Sequence, residues 1–326
     1  MVEHVEHAEL LAWVASMYYE DDLTQGEIAR RVGTSRSTVS RILREARDEG
    51  VVEITVHYPW KTAPEIEEEL VARFGLAHAR VLLSQDRSYQ ERVRGLGVLA
   101  ARYLEGLVSG WDERDAILGI SWGVAVHSTV QALRPERGRP HHRLPITVVQ
   151  MVGAVGEGDP LIDGPELARM LAGVYGGEYR YLHAPLIVED AHTRDVLLAE
   201  PRIQDTLSLA RQADVALVGI GAPRPAAYSL LRAGYVDQEA LAGLRDQGVV
   251  GDVCARQYDA WGNVLDIELN QRVVGIDLEA LHGMEQVLGV AGGEAKAGAI
   301  LGALRGRHVN VLITDDAAAR KVLSLG

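Results

Sequence analysis

The spacing of hydrophobic and polar residues divides the chain into two parts. In roughly the first fifty residues, apolar side chains recur every three or four positions, as in amphipathic helices. This spacing predicts a helix over 8–20 and two further helices, joined by a tight turn, within 24–47. The apolar positions expected to pack together are Leu10, Leu11, Val14, Met17, Tyr18, Ile28, Ala29, Val32, Val39, Ile42, Leu43 and Ala46.

Polar residues at fixed offsets indicate where these helices begin and end. Thr24 followed by Glu27 fits a capping box, and Ser35 is placed to cap the next helix. Gly33 suits the left-handed residue that ends a helix. Two short helices with this capping and turn are typical of a helix-turn-helix unit.

The polar face of the second of these helices is rich in Arg, Ser and Thr. Recognition helices present such residues to base edges and phosphates in the major groove of double-stranded DNA. The alternative is a helical hairpin with a solvated polar face. We predict DNA contacts from Thr24, Gln25, Ser35, Arg36, Ser37, Thr38, Ser40, Arg41 and Arg44.

A change of pattern after Gly50 suggests the domain boundaries. Residues 51–59 alternate apolar and polar side chains, which indicates a strand or wing, and a helix is expected over 65–74. We predict a helix-turn-helix domain at 1–58, a linker at 59–65, and a larger second domain at 66–326.

Beyond residue 80, short continuous apolar runs alternate with helical segments such as 89–109 and 161–173. Runs of Val, Ile and Leu ended by Gly or a polar residue are typical of parallel strands buried on both faces. They lie at RVLLS, AILGIS, ITVVQMVGA, VALVGIGAP, VVGDVCA and HVNVLITD. The alternation predicts an α/β fold with a doubly wound, Rossmann-like sheet that binds ligands at the carboxyl ends of its strands.

Composition and charge narrow the class of protein. No apolar run approaches the roughly 20 residues that span a bilayer, and the acidic N-terminus does not resemble a secretory signal. The single cysteine and the pair His141–His142 offer too few ligands for a zinc site. We therefore expect a cytoplasmic protein with no membrane partner, no metal site and no cofactor.

The formal net charge of −13 is unusual for a protein that binds DNA. Between residues 24 and 44, however, five arginines accompany one glutamate, so the basic footprint is local. The acidic remainder repels phosphates and discourages non-specific binding. One copy should bind DNA weakly, so we expect a homodimer or homotetramer.

Three sequence features suggest a small-molecule site. LGISWGVAVHSTV indicates a strand, a glycine-containing loop and a helix start that would favour a phosphate, although such a turn can be purely structural. Lys296 opens a helical segment after a glycine loop and could be a point charge on that phosphate, or a surface lysine. Asp252 ends an apolar run, where it could bind sugar hydroxyls or form a turn. Cys254 should lie on the same side of that strand, lining the pocket or filling the core.

These motifs together resemble the SorC-type sugar-binding transcriptional regulators, also grouped as DeoR-like regulators with a large effector domain. The resemblance implies that residues 66–326 form an effector-binding and oligomerisation domain, similar in fold to sugar-phosphate isomerases and deaminases. It also implies a phosphorylated sugar as effector, and a dimer or tetramer. The segments that carry it are YYEDDLTQGEIARRVGTSRSTVSRILREARDEGVVEI, LGISWG, VGIGAP, GDVCARQYDAWG and KAGAILGALRGRHVNVLITDDAAARKVL.

The resemblance also implies roles for individual residues. The family's lysine and aspartate at the positions of Lys296 and Asp252 contact the effector, and Ser229 stands where the family has a hydroxyl contact. The effector-binding candidates are Ser121, Trp122, Gly123, Gly153, Ser229, Asp252, Cys254 and Lys296.

One loop departs from some relatives, which carry a lysine or arginine after the TVVQMV strand. Glu157 and Asp159 stand there instead, which argues against a Schiff base and against a second phosphate. A monophosphorylated sugar or an unphosphorylated polyol therefore fits better than a bisphosphate.

We expect a regulator whose operator binding is controlled by a small sugar, polyol or sugar phosphate. The rival hypothesis is a sugar-phosphate isomerase or deaminase with a DNA-binding appendage, in which Asp252, Glu157 or Asp159 would be the general base. No base is paired with a second acid at a meaningful spacing, so no catalytic residue is assigned. Asp315 and Asp316 are expected to cap a helix.

Overall fold

The computed structural model describes residues 2–52, 60–85, 87–111, 115–133, 144–156, 163–224 and 228–326. Most of the predicted strand at 51–59, the pair His141–His142, and Glu157 with Asp159 lie outside these ranges, so the predictions about them stay predictions. The contacts divide the chain into two units, Met1–Pro59 and Trp60–Gly326. In the described ranges, every helix is too short or too polar to cross a membrane.

The described part of the first unit consists of α1 (Val2–Tyr19), α2 (Gln25–Val32) and α3 (Arg36–Asp48). The predicted caps are present. The Thr24 amide donates to the Glu27 carboxylate over 2.9 Å, and the Glu27 amide donates back to the Thr24 hydroxyl. Gly33 ends α2 with φ 74°, and the Ser35 hydroxyl accepts from the Thr38 amide at the start of α3.

A small hydrophobic core holds these three helices together. Its buried and partly buried members include every apolar position predicted from the spacing, with Leu10, Tyr18 and Val32 at its margin. Because the helices are short, this shared burial rather than helix propensity stabilises them. The core leaves the polar face of α3 exposed to solvent.

The second unit alternates strands and helices. Its strands are β1 (His78–Leu82), β2 (Ala116–Ile120), β3 (Ile146–Gln150), β4 (Glu178–Arg180), β5 (Val215–Gly221), β6 (Gly251–Val253), β7 (Arg256–Tyr258), β8 (Gln286–Val290) and β9 (Val311–Asp315). Its helices are α4 (Pro64–Phe74), α5 (Tyr89–Val108), α6 (Val124–Ala132), α7 (Gly164–Tyr175), α8 (Ala191–Ala199), α9 (Pro201–Ala210), α10 (Ser229–Arg232), α11 (Gln238–Asp246), α12 (Glu268–Gln271), α13 (Leu278–Leu281), α14 (Ala297–Arg305) and α15 (Asp316–Leu325).

The predicted doubly wound sheet is confirmed. Its main path runs β1-β9-β8-β5-β2-β3-β4, and all of these neighbours pair in parallel. Successive side chains of β5 enter different clusters, with Val215 and Leu217 on one face and Ala216 and Val218 on the other. Helices α5, α6 and α7 cover the first face, and α4, α9, α14 and α15 cover the second.

The run VVGDVCA does not form the parallel strand that the sequence predicts. Its central residues form β6, which pairs antiparallel with the end of β5 and with β7. The chain reverses at Cys254 and Ala255, which have φ values of 52° and 60°. This tight turn with two left-handed residues stops the strand after Val253, because the chain folds back on itself.

The segment predicted as a linker, 59–65, mostly belongs to the second unit. The Ala63 amide donates to the Val81 carbonyl, and the Leu83 amide donates to the Lys61 carbonyl, each over 2.9 Å. Helix α4 already begins at Pro64, since proline at the first helical position loses no intrahelical hydrogen bond. Residues 61–63 are therefore anchored along β1.

The chain beyond β3 is covered by backbone from two other segments. The Gly153 amide donates to the Val274 carbonyl over 2.9 Å, and its α-carbon faces the Pro185 carbonyl so closely that a Cβ atom would collide with it. Glycine is required here for close packing of backbone against backbone.

We predict that Gly153→Ala lowers the free energy of unfolding by about 1–3 kcal/mol, because the added methyl group displaces the Pro185 backbone. Chemical denaturation followed by circular dichroism measures the change. Gly173→Ala is the matched control: Gly173 lies on α7, a methyl group there would meet no heavy atom within 4 Å, and the helix should gain propensity. Equal stability of the two variants would contradict this account.

Candidate functional site

The first unit exposes the arginines predicted to contact DNA. Arg36, Arg41 and Arg44 are exposed on α3, and no ion pair engages them within the described ranges. Ser37 is exposed, whereas Gln25, Thr38 and Ser40 are half-buried. The surface is therefore a row of exposed guanidinium groups with hydroxyl groups between them, which suits phosphates and guanine edges.

Several of the predicted hydroxyl contacts already have partners in the protein. The Ser35 hydroxyl lies 2.8 Å from the hydroxyl groups of both Ser37 and Thr38. The Thr24 hydroxyl donates to Glu27 over 2.7 Å. These groups order the start of α2 and α3, and their contact with DNA stays a prediction.

The second unit has a cavity at the carboxyl ends of β2, β5 and β8, which is the edge where parallel sheets bind ligands. It encloses about 810 Å³, including space open to solvent. Seven of the eight effector candidates line this cavity, although they come from distant parts of the chain. They are Ser121, Trp122, Gly123, Ser229, Asp252, Cys254 and Lys296.

Gly153 is the exception, because it lies outside the lining of this cavity. It also follows a parallel strand, but the Pro185 and Val274 backbone covers that end of β3. A strand end binds ligands only where no other segment crosses it, and the sequence alone does not reveal such a crossing.

One side of the cavity presents groups that can bind an anion. Gly123 has φ 107°, and it lets the chain turn from β2 into α6, whose first turn has no side-chain cap. Uncapped amides at a helix start attract negative charge. The Ser229 hydroxyl lies 3.8 Å from the position that a Cβ atom on Gly123 would occupy, so it faces the same space.

Asp252 and Lys296 form the polar floor of the cavity. The Lys296 ammonium donates to the Ile220 carbonyl over 2.7 Å. Burial raises the pKa of Asp252 to about 7, against the opposing effects of the Lys296 charge and the Ala255 amide. Burial lowers the pKa of Lys296, and the Asp252 charge opposes that shift. Gly221 makes room for the Asp252 carboxylate, which a side chain at that position would displace.

The hairpin that carries Asp252 is held by buried hydrogen bonds. The Tyr228 hydroxyl donates to the Gln257 side chain over 2.7 Å, and that side chain donates to the Ala255 carbonyl over 2.9 Å. Asp252 reaches the cavity from β6, whereas Cys254 reaches it from the turn that follows β6, so the predicted strand alternation does not place both residues. Burial raises the pKa of the Cys254 thiol to about 12, so the thiol stays protonated.

A loop fixed by Asp315 leads to Lys296. The buried Asp315 carboxylate accepts from the Ala318 amide, as a cap of α15, and from the Gly293 amide over 2.6 Å. The predicted cap is thus confirmed for Asp315, and it also orders the glycine loop. Asp316 instead accepts from the amide and hydroxyl of Ser84.

Sequence reasoning missed the lining residues of α5 and the last residue of α10. Tyr89, Arg92, Val93 and Leu96 line the cavity from α5, and Arg232 lines it from the end of α10. Their spacing is that of any amphipathic helix, and it carries no signal for a ligand site. With Lys296, the two arginines give the lining three basic side chains against one carboxylate, which favours an anionic ligand.

Comparison with known proteins agrees with this two-unit architecture. The sugar-binding domain family Sugar-bind matches residues 58–324, and the Crp-like helix-turn-helix domain matches residues 8–59. The deoxyribonucleoside regulator of Bacillus subtilis is 31% identical over 98% of both chains. The sorbitol operon regulator of Klebsiella pneumoniae is 30% identical over 99% of this chain and 100% of its own. The chain belongs to the SorC-type family of sugar-binding transcriptional regulators.

The structural comparison extends over both units of this SorC-type regulator. The crystal structure of the full-length sorbitol operon regulator SorC from Klebsiella pneumoniae matches with a TM-score of 0.71 over 98% of this chain and 99% of the other. The function predicted from the sequence is confirmed at this level: a DNA-binding transcriptional regulator that responds to a sugar-type effector. The helix-turn-helix unit and the named relatives indicate a regulator rather than an enzyme.

We predict that Arg41→Ala weakens binding to a DNA duplex selected from a random library by about 1–3 kcal/mol if Arg41 contacts a base. If Arg41 contacts a phosphate, the salt dependence of log Kd should fall by about one unit. Fluorescence anisotropy at several salt concentrations measures both. Arg202→Ala, an exposed arginine on α9, is the control. Unchanged affinity and salt slope for Arg41→Ala would remove Arg41 from the interface.

We predict that Asp252→Asn raises the free energy of unfolding, by more at pH 8 than at pH 5. The folded pKa of about 7 lies above the usual 3.8, so the charged form costs stability that grows as pH rises through this interval and is complete above pH 7. Asparagine removes that cost, with a gain on the order of 1 kcal/mol or more at pH 8. Thermal unfolding at both pH values measures it, with Asp205→Asn on α9 as the exposed control. A gain independent of pH would contradict the pKa assignment.

Proposed function

We propose that this regulator binds operator DNA as a homodimer or homotetramer in the cytoplasm, and that a monophosphorylated sugar or polyol in the cavity changes its DNA affinity. The observation that carries the proposal is the composition of the cavity. The lining combines uncapped helix amides, the Ser229 hydroxyl, three basic side chains and one buried carboxylate.

This set of groups suits the two chemical parts of a sugar phosphate. A phosphate monoester carries a charge near −2 and several acceptor oxygens, which match Lys296, Arg92 and Arg232. The Asp252 carboxylate can accept hydrogen bonds from hydroxyl groups, which a polyol or sugar supplies. The positive excess favours a phosphorylated ligand over the unphosphorylated polyol, which the sequence left open.

The proposed assembly follows from the distribution of charge. The exposed arginines predicted to contact DNA lie on α3, whereas the chain as a whole has a net charge of −13. The negative potential of the rest of the chain therefore opposes the binding of a single copy to DNA. Two copies place two recognition helices on neighbouring half-sites and double the favourable contacts. The effector regulates only if its affinity differs between the DNA-bound and free arrangements.

The enzyme hypothesis retains one supporting observation. An aspartate with a pKa of about 7 is suited to act as a general base near neutral pH. Among the described residues, however, the cavity lining lacks a second carboxylate and a reactive thiol, since Cys254 stays protonated. Turnover of ribose 5-phosphate or glucosamine 6-phosphate by the purified protein, followed by NMR, would favour an enzyme.

We predict that a panel of compounds separates phosphorylated from unphosphorylated ligands by thermal shift. The panel contains ribose 5-phosphate, 2-deoxyribose 5-phosphate, sorbitol 6-phosphate, glucosamine 6-phosphate, their unphosphorylated counterparts and inorganic phosphate. A compound that binds the folded state must raise the melting temperature, so at least one phosphorylated member should do so, and its counterpart should not. The same compound should change the affinity for the selected DNA duplex.

The matched variants are Lys296→Met and Lys321→Met, the second being an exposed lysine on α15. Only Lys296→Met should abolish the thermal shift, because it removes the ammonium from the cavity. Stabilisation by an unphosphorylated polyol alone, or by phosphates in both variants equally, would overturn the proposal.

A further inference from the structure

Helix α5 joins the cavity to the first residue of the second unit. Arg92, Val93 and Leu96 line the cavity. Gly95, between them in sequence, lies against the Trp60 ring, and a Cβ atom there would come within 2.9 Å of that ring. The Arg87 guanidinium, just before α5, stacks over the same ring at 4.5 Å from its centroid. One helix therefore contacts both the ligand space and Trp60.

The same helix is locked to two other walls of the cavity. The Ser128 hydroxyl of α6 donates to the Val93 carbonyl over 2.9 Å, and Gly97 lets α6 approach closely. Leu96 fills the space beside Gly292, in the loop that leads to Lys296. Close-packed contacts of this kind transmit small displacements, so α5 cannot shift independently of the groups around a bound ligand.

Trp60 lies at the boundary between the two units along the sequence. It is the first residue of the second unit, directly after Pro59 of the first. The following residues are fixed along β1 by the hydrogen bonds of Lys61 and Ala63. Packing on α5 therefore holds the side chain of the residue with which the second unit begins.

We infer that α5 couples ligand binding in the cavity to DNA binding. In this coupling Arg92 contacts the ligand, and the stack of Arg87 on Trp60 moves in response. The inference rests on the proposed function, because it requires an anionic ligand in the cavity. An anion that draws in Arg92 slides α5 against its neighbours, a small shear of packed helices. Trp60 follows, because its ring packs against Gly95 and the Arg87 guanidinium stacks over it.

Fluorine NMR of the full chain labelled with 5-fluorotryptophan tests this path. Each resonance is assigned by a Trp→Phe variant, and ribose 5-phosphate, sorbitol 6-phosphate and inorganic phosphate are titrated separately. Trp122 lines the cavity and reports occupancy. Trp60 should shift with the same apparent Kd as Trp122, whereas the exposed Trp261, outside the lining, should stay in place.

The outcomes separate the inference from the proposed function. A shift of Trp122 without a shift of Trp60 overturns the coupling path and leaves the effector site intact. If the Trp122 resonance shifts with none of the three compounds, the effector proposal fails for this class of ligand. The coupling through α5 then fails as well.

A pair of variants tests the functional consequence. Arg87→Gln removes the cation from the Trp60 ring, and Arg94→Gln removes an exposed arginine of α5 as the control. Arg87→Gln should reduce the ligand-induced change in DNA affinity at least about threefold, while ligand affinity stays within about twofold of the wild type. Equal ligand response in the two variants would overturn the role of the stack.

Discussion

The cavity depends on holding a buried aspartate beside a half-buried lysine at one edge of the sheet. Burying either charge alone is costly, and the cost is reduced only when each group has partners. Lys296 has the Ile220 carbonyl, and Asp252 has the Ala255 amide and the nearby ammonium. The raised pKa of Asp252 and the lowered pKa of Lys296 show that these partners do not fully offset burial. A ligand with both hydroxyl groups and negative charge would supply the missing partners.

Three features of the surrounding fold position Asp252 and Lys296. Gly221 clears the space for the carboxylate, the Tyr228–Gln257 hydrogen bonds fix its hairpin, and Asp315 orders the loop before Lys296. In the first unit, by contrast, the charged side chains predicted to bind DNA lie on the surface. Its small core and two caps suffice to present three arginines on the exposed face of α3.

How much of this structure the sequence predicts depends on how far apart along the chain the interacting residues lie. The caps of α2 and α3 and the buried parallel strands follow from local spacing, so they were predictable. Strand β4 is exposed and has no apolar run, and the reversal at Cys254 uses non-glycine residues in a left-handed conformation, so neither leaves a signal. The covering of Gly153 by other backbone and the position of Arg92 at the cavity leave no local signal either, because both depend on segments distant in sequence.

The buried thiol of Cys254 has a consequence for the chemistry of the whole protein. It is the chain's single cysteine, and its pKa of about 12 keeps it in the unreactive protonated form. The native thiol should therefore react slowly with oxidants and alkylating reagents, and its burial keeps it from forming a disulfide with another copy of the chain. An engineered surface cysteine would be the preferred site for a thiol-directed label.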